Sequence, residues 1–224
     1  MLQDFRNNID FFLRNATKFS RKDFVETDEA LLLRNKQENL YTTDILNQFF
    51  NKTDSQYLNI LDIGCKNWFY AKGEWEFFNS FCKDFSLDGV EIDAYRLYSN
   101  LYSRYEVAKY YTRNLKNTNY IAGNLLDIKQ NYDYIIWILP FVTSTPHQYW
   151  GLPMKYFSPK ELLNHAYSLL KPDGQMLIIN QGQEEANIQQ KLLTELNINY
   201  TPLGEIVSQH FQYKHKRYGV LIKK

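Results

Sequence analysis

The chain has 224 residues, a hydrophobic fraction of 44% and a formal net charge of +1 at pH 7. That length fits one larger α/β domain or a domain with an extension, and the apolar content suffices for a core, so disorder is not the expectation. A nearly balanced charge supplies no field of one sign to draw in nucleic acid or an anionic membrane.

Cys65 and Cys82 make no disulfide framework and no CxxC pair. A reduced, cytoplasmic compartment is therefore expected, with no metal site. Phe11-Phe12-Leu13 is too short and too closely flanked by charges for a signal segment. No stretch approaches the roughly 18 apolar residues of a membrane helix, so no membrane partner is expected.

Residues 1–56 carry helix-like apolar spacing at Ile9, Phe12, Leu13, Leu31, Leu32, Ile45, Leu46 and Phe49. They read as an N-terminal helical extension, with Thr43-Asp44 as the N-cap of its last segment. The pattern changes at residue 57. Leu58 to Leu61 is a short apolar run leading to Gly64, followed by helical spacing through Phe77, Phe78 and Phe81. A second run, Ser86 to Ile92, precedes a long helix-like segment from Tyr95 to Leu115. Tyr120-Ile121-Ala122 reads as a third strand and Tyr134 to Leu139 as a fourth.

A loop of about twenty residues with four prolines comes next. Ser158-Pro159 opens a helix with proline in its first turn, and Lys171-Pro172-Asp173-Gly174 is a turn before a fifth strand, Met176 to Ile179. A helix from Glu184 to Leu196 and two closing strands, near 205–207 and 218–222, complete the chain. Strands alternating with helices imply a doubly wound, mainly parallel seven-stranded sheet with helices on both faces. In such sheets ligands bind beyond the carboxyl ends of the strands. The chemistry is thus expected after Ile63, Ile92, Ala122 and Leu139.

Those strand ends carry the motifs. Asn59-Ile60-Leu61-Asp62-Ile63-Gly64-Cys65, then Gly89-Val90-Glu91-Ile92-Asp93, then Ala122-Gly123-Asn124-Leu125 resemble the successive motifs of class I S-adenosylmethionine (SAM)-dependent methyltransferases. Tyr132-Asp133 and the turn at 171–174 are similar to two further landmarks of that family. The resemblance covers residues 57–180 and implies a Rossmann-like SAM-binding domain over 57–224.

It also implies cofactor contacts at Asp62, Ile63, Gly64, Cys65, Lys66, Glu91, Ile92, Asn124 and Leu125. Asp62 would receive the SAM ammonium directly or through water, Glu91 the ribose hydroxyls, and Asn124 the adenine amino group through its carbonyl oxygen. Asp93 is placed to cap the following helix instead. The chain departs from the family at Lys66 and Trp68, where glycines two and four residues after the first are common. Lys66 either pairs with the SAM carboxylate or points to solvent, and Asn67 is the residue expected to take the left-handed backbone.

Methyl transfer from a sulfonium is an in-line displacement that needs proximity and alignment before it needs a base. His147 is the one candidate base near the fourth strand. Amino-methylating relatives often carry Asn/Asp-Pro-Pro-aromatic there, where this chain has Ile138-Leu139-Pro140-Phe141. Pro140, Phe141, Tyr149 and Trp150 are candidate substrate contacts, and the partner expected is a small-molecule methyl acceptor. The basic run His210 to Lys224 reads as the solvated edge of a terminal strand, which makes nucleic acid a disfavoured partner. A catalytically silent SAM-binding or interaction module is the alternative. An NAD enzyme is disfavoured because the first turn lacks GxGxxG.

Overall fold

A computed structural model describes residues 23–224. The positions Ile9, Phe12 and Leu13 lie outside the described residues. In chain order the elements are α1 (Glu29–Phe49), β1 (Leu58–Ile63), α2 (Ala71–Asn79), β2 (Phe85–Glu91), α3 (Arg104–Thr112), β3 (Thr118–Ala122), β4 (Tyr132–Ile138), α4 (Ser144–Tyr149), α5 (Pro159–Leu169), β5 (Leu170–Gln181), α6 (Gly182–Glu195), β6 (Thr201–Ile206) and β7 (Arg217–Lys223). The strands form one sheet in the order β3-β2-β1-β4-β5-β7-β6. Pairings among β1 to β5 are parallel, whereas β7 runs antiparallel to both β5 and β6.

The apolar pattern sorts the helices onto two faces. In β4, Tyr134 and Ile136 join a core with α1, α2 and α3, while Ile135 and Trp137 join one with α5 and α6. Successive side chains of a strand point to opposite faces, so a nearly continuous apolar run serves both cores. The doubly wound sheet follows from that run.

Several elements differ from the sequence reading, each for a local reason. Helix α1 is one unbroken 21-residue helix capped by Asp28, whose side chain accepts the Leu31 N–H at 3.1 Å. Thr43-Asp44 is therefore interior to the helix. The Thr43 hydroxyl donates to the Asn39 and Gly73 carbonyls, at 3.1 and 2.9 Å. The segment after β2 is helical only from Arg104. Ser103 and Glu106 form a reciprocal capping box that sets the start there, so Tyr95 to Ser103 stays irregular. The turn at 171–174 is absorbed into β5 as an irregularity, with Asp173 at φ 63°. The basic strand β7 is an interior strand, and the edges of the sheet are β3 and β6. No described helix is long and apolar enough to cross a membrane.

Helix α1 is held close to α2. The Asn39 side chain accepts the Gly73 N–H at 2.7 Å and donates to the Phe69 carbonyl at 2.9 Å. A Cβ on Gly73 would lie 2.3 Å from the Asn39 carbonyl oxygen, so only glycine permits this approach. Tyr41, Ile45, Leu46 and nearby Phe50 are buried against the sheet. Burial of each aliphatic side chain contributes about 1.5–3 kcal/mol, which anchors the helix along one face of the sheet, with Arg34 to Thr42 at the carboxyl ends of the strands.

Candidate active site

A cavity of about 490 Å³ runs across the carboxyl ends of the strands, a volume typical of small-molecule sites. Its floor at one end is Ile63, Gly64 and Lys66 after β1, Glu91 and Ile92 after β2, and Gly123, Asn124 and Leu125 after β3. Pro140, Phe141, His147, Trp150 and Phe157 come from the segment after β4. The opposite end is built by Gln181 at the end of β5, Glu185 and Gln189 of α6 and Arg217 of β7, and α1 adds Arg34, Glu38, Tyr41 and Thr42.

The turn after β1 bends through three left-handed residues, Gly64 (φ 73°), Lys66 (φ 57°) and Trp68 (φ 47°). Asn67 is not among them. Two side chains thus adopt a conformation that glycine takes at no steric cost, and their contacts explain why it holds. The Lys66 N–H donates to Glu91 Oε2 at 2.9 Å, and the Lys66 carbonyl accepts the Tyr120 hydroxyl. Trp68 is fully buried, and its Nε1 donates to Glu74 Oε2 at 2.9 Å. A Cβ on Gly89 would lie 2.9 Å from both Trp68 and Cys65 Sγ. Both side chains therefore pack beneath the turn, and the indole leaves the cavity open. A Cβ on Gly64, by contrast, would meet no atom within 4 Å, so the turn presents bare backbone to open space.

Asp62 and Cys65 are buried and are not among the residues that line the cavity. Asp62 accepts the Tyr70 hydroxyl at 2.8 Å, and Tyr70 is the residue that reaches the cavity. Burial pushes the Asp62 carboxyl up to about 8, and burial with the nearby Asp62 charge pushes Glu74 up as well. The two acids thus hold a proton near neutrality, because two buried like charges are costly.

Glu91 Oε1 accepts the Asp93 N–H at 2.7 Å, so both of its oxygens are engaged by backbone. Each carboxylate oxygen has a second lone pair to offer. Burial pushes the Glu91 pKa up, opposed by the Arg104 guanidinium and these two amides. Asp93 caps no helix. It pairs with Arg96, and with Arg104 at 3.3 Å. Asn124 Oδ1 accepts the Leu126 N–H at 3.1 Å, capping a short 3₁₀ turn while the residue faces the cavity.

The segment after β4 carries its own structure, the short α4 and a 3₁₀ turn, Met154–Tyr156. His147 is 2% exposed, and its Nε2 lies 3.0 Å from the Pro153 carbonyl. A carbonyl only accepts, so Nε2 carries the proton. The ring, edge-on to Phe141 and packed against Phe157, pins the segment. His147 is thus fixed in the cavity wall, with Nδ1 as its remaining acceptor nitrogen. Tyr149 is 86% exposed and does not reach the cavity. Trp150 does, with the Arg104 guanidinium 4.6 Å and the Lys66 ammonium 5.4 Å from its ring. Lys66 therefore neither points freely to solvent nor lies at the far end of the cavity.

The residues that the sequence reading missed come from α1, α6 and β7. On α6 the signal was present: Glu185 and Gln189 stand four residues apart, which places them on one helical face. Nothing local to α1 marked Arg34, Glu38 and Tyr41 as cavity residues.

No protein-family model and no curated protein matches the chain. Solved structures do. A SAM-dependent methyltransferase from Aquifex aeolicus is similar at a TM-score of 0.58 and 15% identity, over 88% of this chain and 99% of the other. Magnesium protoporphyrin IX methyltransferase from Synechocystis PCC 6803, with bound SAM, matches at 0.54 and 8% identity over 98% and 96% of the two chains. A plantazolicin methyltransferase in complex with SAH matches at 0.51 and 17% identity over 86% and 84%. With its strand order and its antiparallel β7, the chain has the Rossmann-like fold of class I SAM-dependent methyltransferases.

Proposed function

We propose that this protein transfers a methyl group from SAM to a small-molecule acceptor. The observation that carries this reading is the turn after β1. Gly64, Lys66 and Trp68 keep three left-handed residues, and Glu91 at the end of β2 holds the turn by its Lys66 amide. The cavity edge so formed fits the cofactor, since the position a Gly64 Cβ would fill is open. Glu91 would take the ribose hydroxyls, Asn124 and Leu125 the adenine, and the Gly64 backbone the methionine part. Tyr70, backed by Asp62, would meet the ammonium.

SAM supplies an activated methyl group on a sulfonium centre. The chain contributes orientation and exclusion of water: the segment from Pro140 to Phe157 covers the cavity, and α1 closes it from above. We accordingly treat residues 57–224 as the cofactor-binding domain and α1 as part of its roof. A small acceptor is supported by the size of the cavity and by the solved structures of protoporphyrin and plantazolicin methyltransferases. Three basic residues of the C-terminal segment, Lys216, Arg217 and Lys224, are engaged within the fold. Lys216 pairs with Glu205 at 2.7 Å, and Lys224 donates to the Leu170 carbonyl at 2.8 Å.

Calorimetry with S-adenosylhomocysteine tests the assignment. Glu91→Gln keeps the shape but weakens acceptance from two ribose hydroxyls, so affinity should fall roughly 10- to 100-fold, about 1.5–3 kcal/mol. Folded wild-type protein that shows no binding would refute the reading, and an unchanged affinity in the variant would remove Glu91 from the site.

A further inference from the structure

Cofactor binding gives no use to the imidazole of His147. One of its nitrogens is committed: the Nε2 N–H donates to the Pro153 carbonyl at 3.0 Å, and the His147 carbonyl accepts the Leu152 N–H at 3.3 Å. The basic lone pair therefore belongs to Nδ1. Nδ1 accepts no bond from the described residues. Unlike Tyr41 Oη or Asn67 Oδ1 it is not sealed by the fold, so it meets the cavity that His147 lines. An imidazole with one nitrogen held by an acceptor and the other left open is the arrangement of an oriented base.

The surroundings fix it in place. Leu139, between β4 and Pro140, is left-handed at φ 60° although it carries a side chain, and its N–H donates to the Ile179 carbonyl at 2.7 Å. Such strain persists only where neighbouring structure over-determines it. Phe141 stands edge-on to the imidazole, 5.7 Å between ring centres, and Phe157 lies at 5.3 Å; both line the cavity. Trp150 packs against Phe141 and gathers the cations Lys66, Arg96 and Arg104 around its ring. The carboxylates of the cavity, Glu38, Glu91 and Glu185, each already accept a bond from within the chain.

A base matters only to an acceptor that must lose a proton, and the gap in acidity decides which acceptor that is. A phenol ordinarily ionises about 3.5 units above an imidazole, whereas an aliphatic hydroxyl, close to water, lies roughly nine units above it. An imidazole draws off the first proton and not the second. The flat rings of Phe141, Trp150 and Phe157 suit the flat body of a phenol. We propose that the methyl acceptor is a phenol and that His147 Nδ1 takes its proton. As the O–H bond breaks, the proton passes to Nδ1 and the electron pair left on oxygen forms the bond to the methyl carbon. The carbon–sulfur pair stays on sulfur, and solvent then takes the proton from the imidazolium. The transfer itself rests on the methyl-transfer reading; proton acceptance at Nδ1 does not.

The probe is 4-nitrophenol, whose phenolate is yellow, titrated into the full chain from about pH 5 to pH 8, with and without saturating S-adenosylhomocysteine. Bound probe should show the phenolate band at least one pH unit below free probe. His147→Gln keeps an N–H for Pro153 and has no basic nitrogen, so in that variant the bound probe should ionise no earlier than it does in water. Nitrogen-15 NMR of the wild-type chain, with its other three histidines assigned by substitution, reads the same atom if the variant fails to fold. Nδ1 should give the signal of a bare nitrogen and should shift with phenol but not with anisole.

No binding of 4-nitrophenol, or ionisation no earlier than that of free probe, overturns the proposal. So does equal early ionisation in His147→Gln, which would assign the effect to Lys66 and the arginines around Trp150. An Nδ1 signal indifferent to phenol overturns it as well. The phenolate band in protein that does not take S-adenosylhomocysteine would sustain the base and sink the methyl-transfer reading.

Discussion

The turn after β1 and the α6–β7 end flank one cavity and use their polar groups in opposite ways. At the turn, Trp68 donates to Glu74, Tyr70 to Asp62, the Lys66 amide to Glu91, and Tyr120 to the Lys66 carbonyl. At the other end, Tyr41 Oη and Gln189 Nε2 are buried without a partner. The first arrangement leaves Asn67 Oδ1 without a partner, has Asp62 and Glu74 hold a proton between them, and keeps a backbone shape in place before any ligand arrives. The second leaves Tyr41 Oη and Gln189 Nε2 covered by the fold with no bond to hold them. A network of mutual bonds thus marks preorganisation.

The contrast is broken most directly at Trp68. Trp68→Ala removes a fully buried indole and leaves Glu74 without its donor, so unfolding free energy should fall by about 3–5 kcal/mol or more. Urea denaturation measures this. A loss under about 1 kcal/mol would mean that the turn does not rest on its underside.

A weaker effect comes from the proton held between Asp62 and Glu74. Burial raises both acids, Asp62 from 3.8 to about 8, so the folded protein keeps a proton that the unfolded chain releases. Stability from this source is complete below the ordinary carboxylate range. It declines as pH rises toward 8, by at most about 1.4 kcal/mol per pH unit for one proton. Replacing both acids, Asp62→Asn with Glu74→Gln, should remove most of that slope in melting curves taken between pH 5 and 8. A wild-type curve without the slope would show that the pair is not protonated.

The smallest change is expected at Lys66, whose left-handed backbone costs roughly 1–2 kcal/mol and whose ammonium lies over Trp150. Lys66→Gly relieves the strain and forfeits that contact, worth about 0.5–1 kcal/mol. A net gain of up to about 1 kcal/mol in urea denaturation is the expected outcome. A net loss would make the side chain a working part of the cover formed by Trp150.

Much of the framework was legible in local sequence because its signals are local. The apolar run from Tyr134 to Leu139 identified a strand buried on both faces, and Glu91 and Asn124 stand at strand ends that topology alone points toward a ligand. The departures at Lys66 and Trp68 were equally plain in the sequence, but their meaning was not. Whether Trp68 obstructs the turn or supports it depends on the space left by Gly89 on the next strand, which no window around residue 68 contains.

The same limit explains the far end of the cavity. Tyr41, Gln189 and Arg217 are separated by most of the chain and line one cavity only because α1 docks through Gly73 and β7 returns antiparallel beside β5. His147 shows the reverse case: its residue type suggested a base, and only the fold decides which of its nitrogens is taken, Nε2 by the Pro153 carbonyl. The sequence by itself determined the order of strands and helices and the chemistry available at each strand end, since periodicity and turn residues act over a few positions. Only the tertiary structure decided which polar groups bond to one another and which remain to meet a ligand, because that depends on burial and on partners distant in the chain.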